Sequence, residues 1–217
     1  MNSKNLYEIK HPICLENLAI LRDKKTKSSQ FRIALKKIAY FLIYEACKDL
    51  PTEDTLVETP LTKTSVKRPD KKIQLIAAPI LRAGLAFSEA ISELLPEISI
   101  QHIGMYRDEN TLKPVWYYDK TPIEYSNPEK LRIFILDPML ATGNSSLEAI
   151  KLFTNKKIPP ENITLITLLV APEGVKKVHH AYQDVKIYTA SVDEKLNEKG
   201  YIVPGLGDAG DRIFNTL

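Results

Sequence analysis

Apolar residues at Phe31, Leu35, Ile38, Ala39, Leu42, Ile43 and Ala46 recur at helical spacing. They predict one long packing helix over 31–50, with Ser28 or Ser29 as its cap and Pro51 as its stop. The pattern then lapses. Residues 51–72 (PTEDTLVETPLTKTSVKRPDKK) are polar and rich in threonine and lysine, and they read as a loop plus an extended arm. Beyond them, short apolar runs alternate with helical segments. IQLIAAP, 73–79, suits a strand buried on both faces, 85–95 is helical and stopped by Pro96, and 99–104 is a strand. The next strand is 131–136, with a helix from about Ser145 to Asn155. A strand at 163–170, a helix opened by Pro172 and a strand at 185–190 follow. Strands spaced by helices predict an α/β fold, a mostly parallel doubly wound sheet with an N-terminal helical segment and an extended β-arm. The whole of 1–217 reads as a single domain. Only 104–127, rich in aromatics, prolines and charge, breaks the rhythm, as a surface hairpin or as a mobile loop over a site.

Composition narrows the function classes. Thirty Lys plus Arg against 27 Asp plus Glu give a net charge of +3, too small and too mixed to argue for a nucleic-acid or membrane surface. An anionic partner, if there is one, is then small. The start, MNSKNLYEIKHP, has no apolar core of a signal peptide, and no apolar run reaches the roughly 18 residues of a membrane span, which predicts a cytoplasmic protein. Cys14 and Cys47 lie outside any CxxC pattern and read as free thiols. The adjacent His179 and His180 point about 100° apart on a helix, so they read as solvated side chains rather than metal ligands.

Candidate chemistry gathers at ILDPMLATGNSS, residues 135–146. In an open parallel sheet, ligands bind at the carboxyl ends of the strands, and this stretch runs from a strand end to the start of a helix. The first N–H groups of a helix lack partners and carry the positive end of its dipole, so with Thr142, Gly143, Asn144, Ser145 and Ser146 they can cradle a phosphate. Asp137 would repel that phosphate. It suits the hydroxyls of a sugar whose other end carries the phosphate, which points to a ribose 5-phosphate held across the loop. The plainer reading is a βα turn in which Ser145 only caps the helix.

GLGDAG, 205–210, is a literal GxGxxG, but only DRIFNTL follows it, so the βαβ context of a dinucleotide fingerprint is missing. Its glycines instead expose backbone to a flat ligand. Arg82 in APILRAG and Arg107 at the head of the aromatic stretch could each be solvated. Beside a ribose-phosphate loop, the two together read as clamps for further phosphate.

The strings HPICLENLAILRDKKTKSSQFR, APILRAG, GMYRDENTLKPV, DPMLATGNS, LVAPEGV and YTASVDEKLNEKGYIVPGLGDAGDRIF resemble, nearly end to end, the uracil phosphoribosyltransferases of the type I phosphoribosyltransferase family. The resemblance implies transfer of ribose 5-phosphate from 5-phosphoribosyl-1-pyrophosphate (PRPP) to N1 of uracil, giving UMP and pyrophosphate. It assigns Asp137 to the ribose hydroxyls, Pro138, Met139, Leu140, Ala141, Thr142, Gly143, Asn144 and Ser145 to the phosphate loop, and Arg82 and Arg107 to the pyrophosphate. Asp208 would anchor the metal-bound pyrophosphate through water, making Asp137, Arg107 and Asp208 the catalytic set. Ile202, Gly207, Asp208 and Ala209 would line the uracil pocket, largely through backbone groups. It also implies Mg²⁺ bound mainly through PRPP and water, a homodimer or larger homo-oligomer, and GTP as an effector of some members.

The sequence departs from the family at Asn144, where glycine is usual, at Ala86 and Phe87, and at Asn215. If residue 144 takes a positive φ, Asn is the non-glycine residue best able to keep it. Two rivals remain: an RNA-binding regulator, which would need a basic face beyond DKKTK and KRPDKK, and an inactive structural relative, which the retained Asp137, Arg82, Arg107 and Asp208 argue against.

Overall fold

A computed structural model describes residues 4–108 and 114–216, except for the side chain of Arg107. The chain opens with β1 (Leu6–Glu8), α1 (Pro12–Arg22) and α2 (Ser28–Cys47). All seven apolar positions that predicted the long helix are buried on α2, and Ala34 joins them. Its ends differ from expectation. Ser28 is already helical, Lys27 precedes it without a side-chain cap, and the helix stops at Cys47, ahead of Pro51. Ser28 instead hydrogen-bonds Asn215 at 3.0 Å.

The polar stretch is a hairpin arm of β2 (Thr52–Glu58) and β3 (Lys63–Pro69), paired antiparallel from Thr52–Pro69 to Glu58–Lys63. Next come β4 (Gln74–Leu81), a 3₁₀ turn over Ala83–Phe87 and α3 (Ser88–Leu94), so the helical segment read over 85–95 begins as tighter coil. The strand read over 99–104 is two: β5 (Ser99–Ile100) and β6 (Ile103–Arg107). β6 pairs antiparallel with β7 (Pro114–Asp119), which supports the hairpin reading there; residues 109–113, at the centre of the alternative loop reading, lie outside the described residues. The remaining elements are β8 (Leu131–Leu136), β9 (Met139–Leu140), α4 (Asn144–Asn155), β10 (Ile163–Val170), α5 (Pro172–Ala181), β11 (Lys186–Val192), β12 (Lys195–Leu196), β13 (Ile202–Val203) and α6 (Ala209–Phe214).

The main sheet runs β1-β11-β10-β8-β4-β6-β7, with β5 and β9 as short additions. Every pairing in it is parallel except β6–β7. β10 is buried along its whole length, which is why ITLITLLV carries no alternation. The core lies in two layers. α1, α2, α3 and α6 close one face around Phe31, Leu42, Phe134 and Tyr188, while α4 and α5 close the other around Ile133, Phe153, Leu165 and Val178. No helix among the described residues is long and apolar enough to cross a membrane.

Both cysteines are free, Cys14 fully buried and Cys47 partly so. The histidines divide: His180 is exposed, but His179 is half-buried, its Nε2 lies 3.1 Å from the carbonyl of Val185, and burial holds its pKa below the usual value.

Candidate active site

The strand ends of β8 and β4 and the connection from β11 to α6 meet at one crevice. After β8 the chain stays fastened to β10 before it turns into α4. The amide of Asp137 donates to Ile166 at 3.2 Å, the Pro138 carbonyl accepts from Leu168 at 2.9 Å and Leu169 at 3.1 Å, and the Leu140 carbonyl accepts from Ala171 at 2.9 Å. Gly143 then turns the chain at φ 79 and stands as the N-cap of α4, in a left-handed conformation that side chains with a Cβ rarely adopt. It has no side chain with which to cap the helix start.

Two of the sequence expectations fail here. Ser145 is not the cap but the second residue of the helix, with Ser146 behind it. Residue 144 does not take positive φ either: Asn144 begins the helix, and the left-handed position falls one residue earlier. The Asn144 amide oxygen accepts instead from the ammonium of Lys177 on α5.

The turn lies directly on the first turn of α5. A Cβ at Gly174 would sit 2.4 Å from the carbonyl oxygen of Ala141, and one at Gly143 would sit 3.1 Å from the carbonyl oxygen of Gly174. Gly174 was missed from sequence. Its signal was present, since a glycine inside a helix costs about 1 kcal/mol against alanine and so points to close packing.

Asp137 stands on the floor of the crevice. Removal from bulk water pushes its carboxyl up to about 7, against the weaker opposing pull of the Met139 N–H at 3.4 Å. Across from it runs the segment 200–210. Gly205 takes a left-handed conformation at φ 62, and a Cβ there would meet the carbonyl oxygen of Ile202 at 2.1 Å. Asp208 is exposed and caps α6, accepting from the Asp211 amide at 2.9 Å.

The cavity between these walls measures about 240 Å³. On one side it is lined by Asp137, Met139, Ala141, Thr142, Gly143, Asn144 and Ser145, and on the other by Ile202, Gly207, Asp208 and Ala209. Ser146 and Gly210, both expected there, also line it, as do Ala83, Gly200 and Tyr201, which were not singled out beforehand. Pro138 and Leu140 do not reach it: both are buried behind the loop, where their carbonyls hold it to β10. Arg82 stands at the rim, exposed, 3.4 Å from the Asp211 carboxylate and 5.9 Å from the Phe214 ring centre. The side chain of Arg107 lies outside the described residues.

Among the described residues no three His, Cys, Asp or Glu side chains are grouped as a metal cage. Asp137 and Asp208 nevertheless supply hard oxygen donors at the cavity, and Mg²⁺ is commonly held by one or two carboxylates together with substrate phosphates.

A doubly wound sheet with a crevice at its strand ends is the architecture of α/β proteins that seat nucleotides and sugar phosphates. Comparison with known proteins narrows the class. The uracil phosphoribosyltransferase profile matches residues 8–216, and the chain belongs to that family. It is 47% identical over 209 residues to the uracil phosphoribosyltransferase of Lactococcus lactis subsp. cremoris (strain MG1363), covering 96% of this chain and 97% of the relative. To that of Fervidobacterium nodosum it is 49% identical over 211 residues, covering 97% and 99%. Among solved structures, the AQ2163 protein of Aquifex aeolicus superposes with a TM-score of 0.87 at 33% identity, covering 96% of this chain and 97% of that one.

Proposed function

We propose that this protein transfers the 5-phosphoribosyl group of PRPP to N1 of uracil, releasing pyrophosphate and forming UMP in pyrimidine salvage. The observation that carries the reading is one cavity joining an acid-and-phosphate loop to a glycine-rich wall of exposed backbone. In this reading the helix start at Gly143–Ser146 takes the 5-phosphate and the Asp137 carboxylate accepts hydrogen bonds from the ribose hydroxyls. Backbone groups at Ile202, Gly207 and Ala209 match the acceptor–donor–acceptor edge of uracil. Cytosine reverses two of those groups and would leave buried polar atoms unpaired, at about 1–3 kcal/mol each.

In the transfer the C1–O bond to pyrophosphate breaks, the C1–N1 bond forms, and N1 loses its proton. Positive charge builds at C1 while negative charge builds on the leaving group, so fixed cations beside the pyrophosphate lower the barrier. Arg82 at the rim is one such cation, and Arg107, at the end of β6, is assigned as the second. Mg²⁺, held mainly through PRPP and water, would offset further negative charge on the pyrophosphate. Asp208 serves the metal-bound pyrophosphate through water as well as capping α6.

The proposal extends to a cytoplasmic enzyme of one domain that works as a homodimer or larger homo-oligomer, with GTP as a candidate effector. Leu56 and Leu61, 69% and 94% exposed on the β2–β3 arm, favour assembly. The deciding experiment measures UMP formed from PRPP and Mg²⁺ with uracil or cytosine. Uracil should turn over and cytosine should not; comparable use of both, or no use of uracil, overturns the assignment.

A further inference from the structure

Behind the glycine-rich wall, outside the cavity, lies a buried ion pair. Asp193 directly follows β11, and its side chain is 1% exposed. Arg22, the last residue of α1, grips it with both ends of the guanidinium, at 2.8 Å to Oδ2 and 2.5 Å to Oδ1. Each partner also holds one polar group of the same residue of the wall, Gly205. Gly205 donates its N–H to Asp193 Oδ2 at 2.8 Å, and its carbonyl accepts from Arg22 Nη1 at 2.8 Å. Ser191 completes the cluster, its hydroxyl donating to Asp193 Oδ1 at 3.0 Å and accepting from Arg22 Nη2 at 3.2 Å.

Nothing in this cluster lines the cavity. Yet Gly205, in a left-handed conformation, lies between Ile202 and Gly207, so fixing its N–H and its carbonyl fixes the two peptide units that lead into the flanking backbone. Arg212 fastens the next residue to the same helix end, donating to the Leu206 carbonyl at 2.8 Å, to the Leu21 carbonyl, and to the Asp23 carbonyl at 2.7 Å. Burial alone would push the Asp193 carboxyl up, but Arg22, the Gly205 N–H and Ser191 outweigh it and hold it below the usual carboxylate range. The Asp193 carboxylate therefore stays ionised across the neutral range.

We propose that Arg22 and Asp193 are positioning residues for base recognition, an ion pair that touches no substrate and holds the Gly205 peptide so that the backbone edge at 202–209 keeps the register uracil requires. This rests on the uracil reading above. A generic stabilising pair would, when weakened, lower stability without preference between substrates; a positioning pair selects one substrate.

The test is steady-state kinetics of the full chain, each substrate varied against saturation of the other, on Arg22→Lys, Asp193→Asn and Ser191→Ala, with circular dichroism to confirm the fold. Lysine keeps the charge but cannot hold Asp193 and the Gly205 carbonyl together. The KM for uracil should rise about tenfold in the first two variants and about threefold in Ser191→Ala, with the KM for PRPP within about twofold of wild type. The advantage of uracil over cytosine should shrink with it. Equal changes in both KM values, or an unchanged KM for uracil in a folded variant, overturn the proposal. Ser191→Ala decides the matter if the two charge variants do not fold. A wild-type protein that turns over no uracil would instead remove the reading on which the proposal stands.

Discussion

Asp137 links protonation to substrate binding. With its carboxyl near 7 in the free protein, about half of the molecules carry a proton there at neutral pH. If Asp137 accepts from the ribose hydroxyls as proposed, it does so in the ionised form, so PRPP binding should tighten as pH rises through about 7 and should release a proton at pH 6. Calorimetry in buffers of different ionisation enthalpy would detect that proton, and Asp137→Asn should abolish it while weakening PRPP more than uracil. The stability effect has the opposite sign. A carboxyl raised from 3.8 to about 7 favours the folded state fully below its unfolded value, and that contribution is lost as pH climbs between the two. Asn144 gives a second expectation. Because its backbone is helical, Asn144→Val and Asn144→Gly should both keep the KM for PRPP within about fivefold, since neither asks residue 144 for a left-handed conformation. Gly143→Ala should raise it by about tenfold or more, since a left-handed backbone costs a Cβ-bearing residue roughly 1–2 kcal/mol before any clash with Gly174. Sequence suggested a left-handed residue at position 144, where the family's usual glycine is absent; the left-handed residue is Gly143, packed against Gly174 of α5, a contact that sequence does not show.

At the scale of elements, the phosphate turn and α5 form one unit. Gly174→Ala would press a methyl group to 2.4 Å from the Ala141 carbonyl oxygen, so the turn must lift or α5 must slide. We expect kcat/KM for PRPP to fall on the order of 10²-fold, the scale of a catalytic group misplaced by about 1 Å, with the far-ultraviolet circular dichroism unchanged. An unchanged value would mean that the turn adapts. α2, β8 and β10 were legible from apolar residues alone, because burial on a full stripe or on both faces imposes a run or a period. The two-residue strands β9, β12 and β13 were not: each exists only through its partner, and two residues carry no period. The glycine-rich wall was legible as composition, whereas its anchorage to α1 through Arg22 and Arg212 was invisible, since more than half of the chain separates the partners.

For the molecule as a whole, the two helical layers leave a preformed pocket at the strand ends, so binding should register as resistance to heat. Ribose 5-phosphate at about a hundred times its Kd should stabilise the fold by about 2.7 kcal/mol. For a chain of this size that raises the Tm by roughly 5–10 °C, read by differential scanning fluorimetry. No shift would mean that the folded chain does not bind the sugar phosphate. The order of the sheet carries a further consequence, one of timing. β1 lies at an edge and pairs in register with β11, Leu6 beside Ile187. On the ribosome, the first strand made must therefore wait for a partner translated about 180 residues later, on the order of 10–40 s at ordinary elongation rates. The following helix, whose last residue Arg22 grips Asp193 just beyond that late strand, waits with it. The glycine-rich wall is thus the last part of the pocket to be assembled during synthesis, and a nascent chain stalled before residue 186 would hold the turn at Gly143 without the wall that faces it.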